Sequence, residues 1–333
     1  MNKTLLNFLC DPIDKTDLSL NNEVLDELGR VVSGTLTSKT GNVYQIIDGI
    51  PRFIKRDLQK SVVSFGDEWN YFNFDFKENW LDHTIKNTFG TTDIFKDKVV
   101  VDAGGGSGMQ SLWMSQAGAK HVICLELSDS VDDIVKKNLI GINNVDVVQC
   151  SIDQPPIKDN SIEGIVICHN VIQHTPSVEK TAEALWKTVG AGGEFVFNCY
   201  PKNDLGFVRK IRLGIYYFLR NFLSKRSFKF ILIYSKIMAI IRFIPVIGYL
   251  LEKSNFMIQG DVPAGPNYIK RAYWQSALNT FDSYGSHEFQ HLKSDDEIRD
   301  LINKLQPNGN KILNQTEYFS RPKPIGVALR LLK

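Results

Sequence analysis

Residues 99–111 read VVVDAGGGSGMQS, three valines leading through Asp102 into four glycines within five positions. A glycine turn between an apolar run and a helix-like run lets a ligand come nearer the backbone N–H groups than any side chain would permit. Two ligand chemistries compete for such a loop. A dinucleotide loop follows G-x-G-x-x-G/A, whose third small residue lets helix and strand pack closely. Counted from Gly104, that third place falls on Met109, which is too large. The spacing D-x-G-x-G-x-G over Asp102, Gly104, Gly106 and Gly108 does fit.

Asp102 separates the two chemistries by charge. A pyrophosphate beside it would meet like-charge repulsion of order one to a few kcal/mol in a partly buried site. A ligand with an ammonium and a sulfonium is attracted instead, and S-adenosylmethionine carries both. Glu126, 24 residues after Asp102 at the end of a second apolar run, is placed to accept both ribose hydroxyls. Transfer from a methyl sulfonium is an in-line displacement, so the protein must position the acceptor and, for a hydroxyl, take its proton. The segment CHNVIQHTP offers His169, Asn170 and His174 at the end of a strand-like run. His174 is expected to act as base or positioning group, and His169 to pack against or touch the cofactor.

These residues need elements to hold them. From about 93 to 200, apolar runs of strand length (KVVVDAG, HVICLELS, VDVVQCS, IEGIVICHN, GGEFVFNCY) alternate with helix-like stretches. One predicted helix stops at Gly118. Another spans SDSVDDIVKKNLIG, with Ser128 or Asp129 as N-cap and Gly141 as stop. Alternation of this kind with near-continuous apolar strands predicts an α/β fold, a parallel sheet with helices on both faces. A helix over SDDEIRDLINKL and two strand-like runs, NKILNQTEYF and PIGVALRLLK, end the chain.

The glycine motif VVVDAGGGSG, the ribose-acid run ICLELS and the stretch PPIKDNSIEGIVICHNVIQHTP resemble the class I S-adenosylmethionine-dependent methyltransferases, of the methyltransferase type 11 kind. The resemblance covers residues 62–202 well and the C-terminal stretch more weakly. It implies a doubly wound Rossmann-like sheet, mostly parallel with an antiparallel last strand, and S-adenosylmethionine as cofactor. It implies that Ser151 and Ile152 lie near the adenine, although Ser151 replaces the family's usual aspartate and Asp153 follows two residues on. Glu163 replaces the usual aspartate at the start of the fourth strand. In relatives, a helix like SFGDEWNYF caps the cofactor, which gives Trp69 and Phe72 a covering role. A segment like TFDSYGSHEFQHLKS (280–294) lies over the active site in relatives, so Asp282, Tyr284 and His291 are expected to face the acceptor.

The expected organisation is a small unit over residues 1–58, a methyltransferase domain over 59–333 and a helical lid or insert at 204–260. The first unit resembles a Trm112-like small domain, a zinc ribbon in some relatives. Here Cys10 alone keeps a ligand, with Ile13, Thr37 and Thr40 at the other ligand places. One thiol cannot hold a four-coordinate structural zinc, so no metal is expected. Between 205 and 251 there are nine lysines and arginines and no acid, interleaved with apolar stripes: Ile211, Ile215, Phe218, Phe222, then Phe230, Tyr234, Ile237, Ile241, Ile244. Two interior charges and Pro245 argue against a membrane span. The stripes suit a pocket lid, an interfacial pair on anionic lipid, or a dimer face.

With 333 residues, 23% of them charged and a net charge of only +2, the chain lacks the basic surplus of a general nucleic-acid binder. Five cysteines with no CxxC spacing read as reduced, buried thiols. The N-terminal apolar stretch is too short and broken for a signal peptide, so the expected location is cytoplasmic, peripheral to the inner membrane face if the insert binds lipid. Two functions of different class follow: a methyltransferase for a small-molecule or lipid-linked acceptor, or a non-catalytic scaffold that binds a partner through the N-terminal unit and the insert. Asp102, the loop glycines and Glu126 favour the enzyme. Asp102 and Met109 disfavour a nicotinamide oxidoreductase.

Overall fold

The computed structural model describes residues 1–54, 59–72, 80–201, 207–260, 262, 265–285, 287, 289–306, 312–315 and 327–333. The chain forms two compact units, one of residues 1–202 with 289–333 and one of residues 203–288.

In the first unit the apolar runs become the strands β5 (Val99–Ala103), β6 (His121–Glu126), β7 (Val145–Gln149), β8 (Ile165–Cys168) and β9 (Glu194–Pro201). They lie in the order β7-β6-β5-β8-β9, all parallel. The short strand β10 (Leu292–Lys293) runs parallel to the end of β9, the final strand β12 (Val327–Leu332) runs antiparallel to β9, and β11 (Ile312–Gln315) pairs with β12. Strand pleating sends alternate residues to opposite faces. Val101, Ala103, Ile123, Leu125, Val166 and Cys168 therefore enter one core, and Val100, Val122, Ile165 and Ile167 enter another. Both faces of the central strands are buried, the doubly wound arrangement expected from their unbroken apolar runs.

The N-terminal strands β1 (Leu18–Leu25), β2 (Val31–Ser38), β3 (Val43–Ile47) and β4 (Ile50–Arg52) form an antiparallel meander. It does not stand apart. β4 pairs with β7 at Arg52 and Gln149, and Leu5, Leu9, Leu36 and Ile46 share a core with Val101 and Ile123. The predicted division near residue 58 lies outside the described residues. Either side of it belongs to one unit, because the meander's apolar face has the methyltransferase-like sheet as its packing partner.

Helix α1 (Gln59–Tyr71) precedes the core, α2 (Met109–Gln116) follows the glycine loop, and Gly118 takes left-handed backbone just beyond it. The predicted helix after β6 is broken, a 3-10 turn at Asp129–Asp132 followed by α3 (Ile134–Asn138). The reason is local: the Ser128 N–H and hydroxyl both donate to Glu126 at 2.8 and 2.6 Å, so Ser128 caps no helix. α4 (Val178–Thr188) is capped by Ser177. The last helix, α9 (Asp295–Leu305), carries a capping box between Ser294 and Glu297, which accounts for the helix expected there.

The second unit holds α5 (Phe207–Leu223), α6 (Phe228–Ile241), α7 (Pro245–Lys253) and α8 (Tyr268–Tyr284). The expected insert started at 204, outside the described residues, and ended at 260. The unit runs on to 288, because Arg242 of α6 donates to the Ala272 carbonyl and Ser276 hydroxyl of α8. All five cysteines are buried and free. Among the described residues, no helix is long and apolar enough to cross a membrane.

Candidate cofactor and acceptor site

The carboxyl ends of β5, β6 and β8 lie side by side, with Asp102 beside Cys124 on one strand and Ile167 on the other. The order of connection reverses between β5 and β8, which opens a crevice above the strand ends. Asp102, the last residue but one of β5, is 1% exposed. Behind it Gly104, Gly106 and Gly108 all take left-handed backbone. Gly106 has φ 57°, and a Cβ on it would lie 2.9 Å from the Trp69 indole, so α1 lays this ring directly on the loop. A second glycine seats the helix: a Cβ on Gly66 would fall within 1.6 Å of Asp129 Oδ1.

Glu126 binds the same loop from below. Gly106 N–H donates to its Oε2 at 2.7 Å, while Ser130 Oγ donates to the Gly106 carbonyl at 3.0 Å. Asp102 Oδ2 accepts from Ser111 Oγ at 2.6 Å. Burial pushes the Asp102 carboxyl up to about 6, with the neighbouring Glu126 charge adding to the shift. Burial raises Glu126 as well, against its hydrogen bonds from Ser128 and Gly106. Beyond Glu126, the Cys150 N–H donates to the Glu126 carbonyl at 3.0 Å, placing Ser151 and buried Ile152 beside the acid. Ser151 Oγ donates to Asp153.

Residues 101–197 match the family model of the methyltransferase domain. Similar curated proteins include protein arginine N-methyltransferase 1 of Caenorhabditis elegans, 30% identical over 108 residues that make 29% of this chain and 30% of that protein. The protein of the same name in Oryza sativa subsp. indica is 47% identical over 55 residues, 16% of this chain and 14% of that one. The chain thus spans under a third of the length of these relatives. Among solved structures, an S-adenosylmethionine dependent methyltransferase from Mesorhizobium loti is similar at 12% identity and TM-score 0.44, covering 76% of this chain and 100% of that one. Magnesium protoporphyrin IX methyltransferase from Synechocystis is similar at 14% identity and TM-score 0.42, covering 84% and 98%.

The fold is that of the class I S-adenosylmethionine-dependent methyltransferases. Its cofactor is S-adenosylmethionine, and the residues present fit that group. Two acids lie buried at the loop, and among the described residues neither has a lysine, arginine or histidine partner. An uncompensated pair of buried carboxyls disfavours its own ionisation and is relieved by a cationic ligand.

On the acceptor side of this methyltransferase fold, β8 exits through Asn170, in left-handed backbone. Its N–H donates to Asn198 Oδ1 of β9 at 2.6 Å, and Asn198 Nδ2 donates back to Asn170 Oδ1. His169 is half-buried, 3.5 Å through Nδ1 from Gln110 Nε2, and desolvation lowers its pKa to about 4, so the ring is neutral. The chain then makes the 3-10 turn Ile172–His174. The His174 ring stands edge-on to Phe65 and Tyr200 at 5.8 and 5.7 Å, with Nδ1 3.4 Å from the Phe289 carbonyl. A carbonyl only accepts, so in this contact the ring donates through Nδ1.

His291 N–H donates to the Gln173 carbonyl at 2.8 Å, which sets His174 and His291 on adjoining backbone although they lie far apart in sequence. Asp282 and Tyr284 are placed otherwise, in the 203–288 unit. Tyr284 is wholly buried, its hydroxyl donates to the Asn255 carbonyl, and burial raises its pKa well above the ordinary phenol range. Within that unit its ring packs against Tyr216 and Tyr234. Asp282 Oδ1 sits 3.7 Å from His287 Nε2, and burial lowers His287 to about 4 against the pull of Asp282.

One polar residue was not singled out from the sequence. Gln173 is 0% exposed, and neither of its amide atoms has a hydrogen-bond partner among the described residues. Its signal was a lone amide between apolar Ile172 and the candidate His174.

Proposed function

We propose that this chain passes the methyl group of S-adenosylmethionine to a small-molecule or lipid-linked acceptor. The observation that carries the reading is the pair of buried acids at the glycine loop with no cation beside them. When bound, the cofactor supplies an electrophilic methyl group on a positively charged sulfur. Asp102 would hold its ammonium and Glu126 its ribose hydroxyls, with the backbone of Gly104, Gly106 and Gly108 against it. Ser151 and Ile152 would border the adenine, Trp69 would cover the loop and neutral His169 would pack nearby without adding charge. His174 would take the acceptor's proton on Nε2 as the acceptor–carbon bond forms and the carbon–sulfur bond breaks, and His291 would position the acceptor. Positioning and proton removal together supply the rate enhancement available to such a displacement.

The N-terminal meander enters this proposal as a metal-free, Trm112-like packing module, with the Cys10 thiol pushed up to about 11 by burial. A lipid-linked acceptor would bring a cytoplasmic enzyme to the inner face of the membrane. The test is calorimetry with S-adenosylmethionine, its demethylated product and NADH, followed by an acceptor screen with labelled cofactor and a membrane-lipid extract. Micromolar-range binding of the first two and none of NADH is expected. NADH binding without S-adenosylmethionine binding would overturn the reading.

A further inference from the structure

The insert carries apolar side chains on its outer face as well as its inner one. On α5, Phe207, Ile211, Phe218 and Phe222 share one stripe and all face outward, Phe207 at 79% and Phe218 at 73% exposure. The opposite, inward face carries Tyr216, Leu219 and Leu223. α6 turns Ile231, Ser235 and Ala239 inward, leaving Ile233, Ile237 and Ile240 outside, and α7 exposes Val246, Ile247, Tyr249 and Leu250. A helix whose outer face meets water carries polar residues there, and exposed apolar surface this extensive marks a binding face.

The basic side chains also divide between interior and surface. Arg212 donates to Asn255 Oδ1 at 3.0 Å, and Arg220 donates to the carbonyls of Ser283 and His287 at 2.8 and 2.9 Å. Arg242 reaches the Ala272 carbonyl and Ser276 hydroxyl at 3.0 and 2.6 Å. Three guanidinium groups thus serve the unit's interior while phenylalanines and isoleucines face out. The cations of α5 and α6 that reach the surface include Lys210 and Lys229, joined by Lys225 and Arg226 between the helices, and Arg226 lies 4.1 Å over the Phe222 ring. In the same unit an apolar groove of about 720 Å³ is lined by Ile240, Phe243, Tyr268, Ile269 and Tyr273, together with Asn267 and Lys270.

We propose that the 203–288 unit docks on an anionic lipid bilayer. Outward apolar side chains of α5, α6 and α7 enter the boundary between headgroups and acyl chains, and Lys210, Lys225 and Lys229 meet lipid phosphates. Charge selects this occupant. The same face of a second copy would bring its own exposed Lys210, Lys225, Arg226 and Lys229 against those of the first, with no acid between 205 and 251 to offset them, whereas an anionic surface complements them. The lipid lies against the helices and is not crossed by them.

The inference does not depend on methyl transfer, and its test reads binding alone. The full chain is sedimented with phosphatidylcholine vesicles containing or lacking phosphatidylglycerol, at low and high salt. Binding to the anionic vesicles is expected at least tenfold tighter than to neutral ones, weakening with salt as the Debye length falls. Lys225→Gln and Lys229→Gln should each weaken it roughly fivefold, the equivalent of about 1 kcal/mol per basic residue near such a surface. Phe218→Ser with Ile237→Ser should remove the salt-resistant part of the binding. Cofactor affinity measured on the same variants should not change, which separates lost docking from lost folding. Failure of the unmodified protein to sediment with anionic vesicles at low salt overturns the proposal. So does concentration-dependent dimerisation, without lipid, that these same variants abolish.

Discussion

The sheet core and the insert are built from similar apolar residues and use them in opposite directions. In the core, Val100 and Val101, Ile165 and Val166, Phe195 and Phe197 all enter dry interiors. In the insert, Phe207, Phe218 and Ile240 stay outside while Arg212, Arg220 and Arg242 bind carbonyls within. A buried strand has packing partners on both faces. Among the described residues the insert's helices bury one face, and that face also takes the guanidinium donors of Arg212, Arg220 and Arg242 for carbonyl and amide oxygens. Apolar pattern thus announces a face without saying what covers it.

The sharpest way to break this comparison is a pair of identical residue types. Phe195→Ala, at a fully buried position, should destabilise the chain by about 3–5 kcal/mol. Phe218→Ala, in the insert, should change stability by no more than about 0.5 kcal/mol. Denaturant midpoints measure both, and a large loss at Phe218 would mean that the insert's outer face is structural.

The next effect concerns the acceptor side of the core. His174→Ala should lower kcat by about 10²–10⁴-fold while leaving cofactor affinity unchanged. A parallel loss of cofactor binding would reassign His174 to the cofactor pocket. This measurement requires an acceptor from the screen.

The smallest effect is a pH dependence. Asp102 titrates at about 6 because burial opposes its charge, and only the charged form attracts an ammonium. Affinity for the demethylated cofactor should therefore be level above pH 6 and fall by up to about tenfold per unit below it. Asp102→Asn should bind more weakly with a flat profile over that range. The same shift acts on the ligand-free protein in the opposite sense. The folded pKa lies above the unfolded value near 3.8, so ionisation from pH 4 to 6 removes stability of order 3 kcal/mol. Cofactor should restore stability above pH 6, read as a larger shift of Tm at pH 7 than at pH 5.

Much of the site was written in local spacing. The D-x-G-x-G-x-G run over Asp102 to Gly108 and the acid Glu126 could be read directly, because a strand, a turn and a helix of adjacent residues fix that geometry. The parallel sheet was legible for the same reason: its strands are apolar on both faces, and alternating helices leave few other folds. The N-terminal meander looked separate because its composition differs, yet β4 joins β7, a pairing that no local pattern announces. Ser128 looked like a helix cap until Glu126 was found holding both its donors. The polar stretch around Tyr284 gives no local sign of the ring contacts with Tyr216 and Tyr234.

By itself the sequence determined the sheet and the glycine loop, since both follow from neighbouring residues. Tertiary structure alone decided that His291 would adjoin Gln173 beside His174, and that the insert's arginines would turn inward and its phenylalanines outward. Those outcomes rest on contacts between distant segments, where packing and hydrogen-bond satisfaction outweigh the preferences of any single helix or loop.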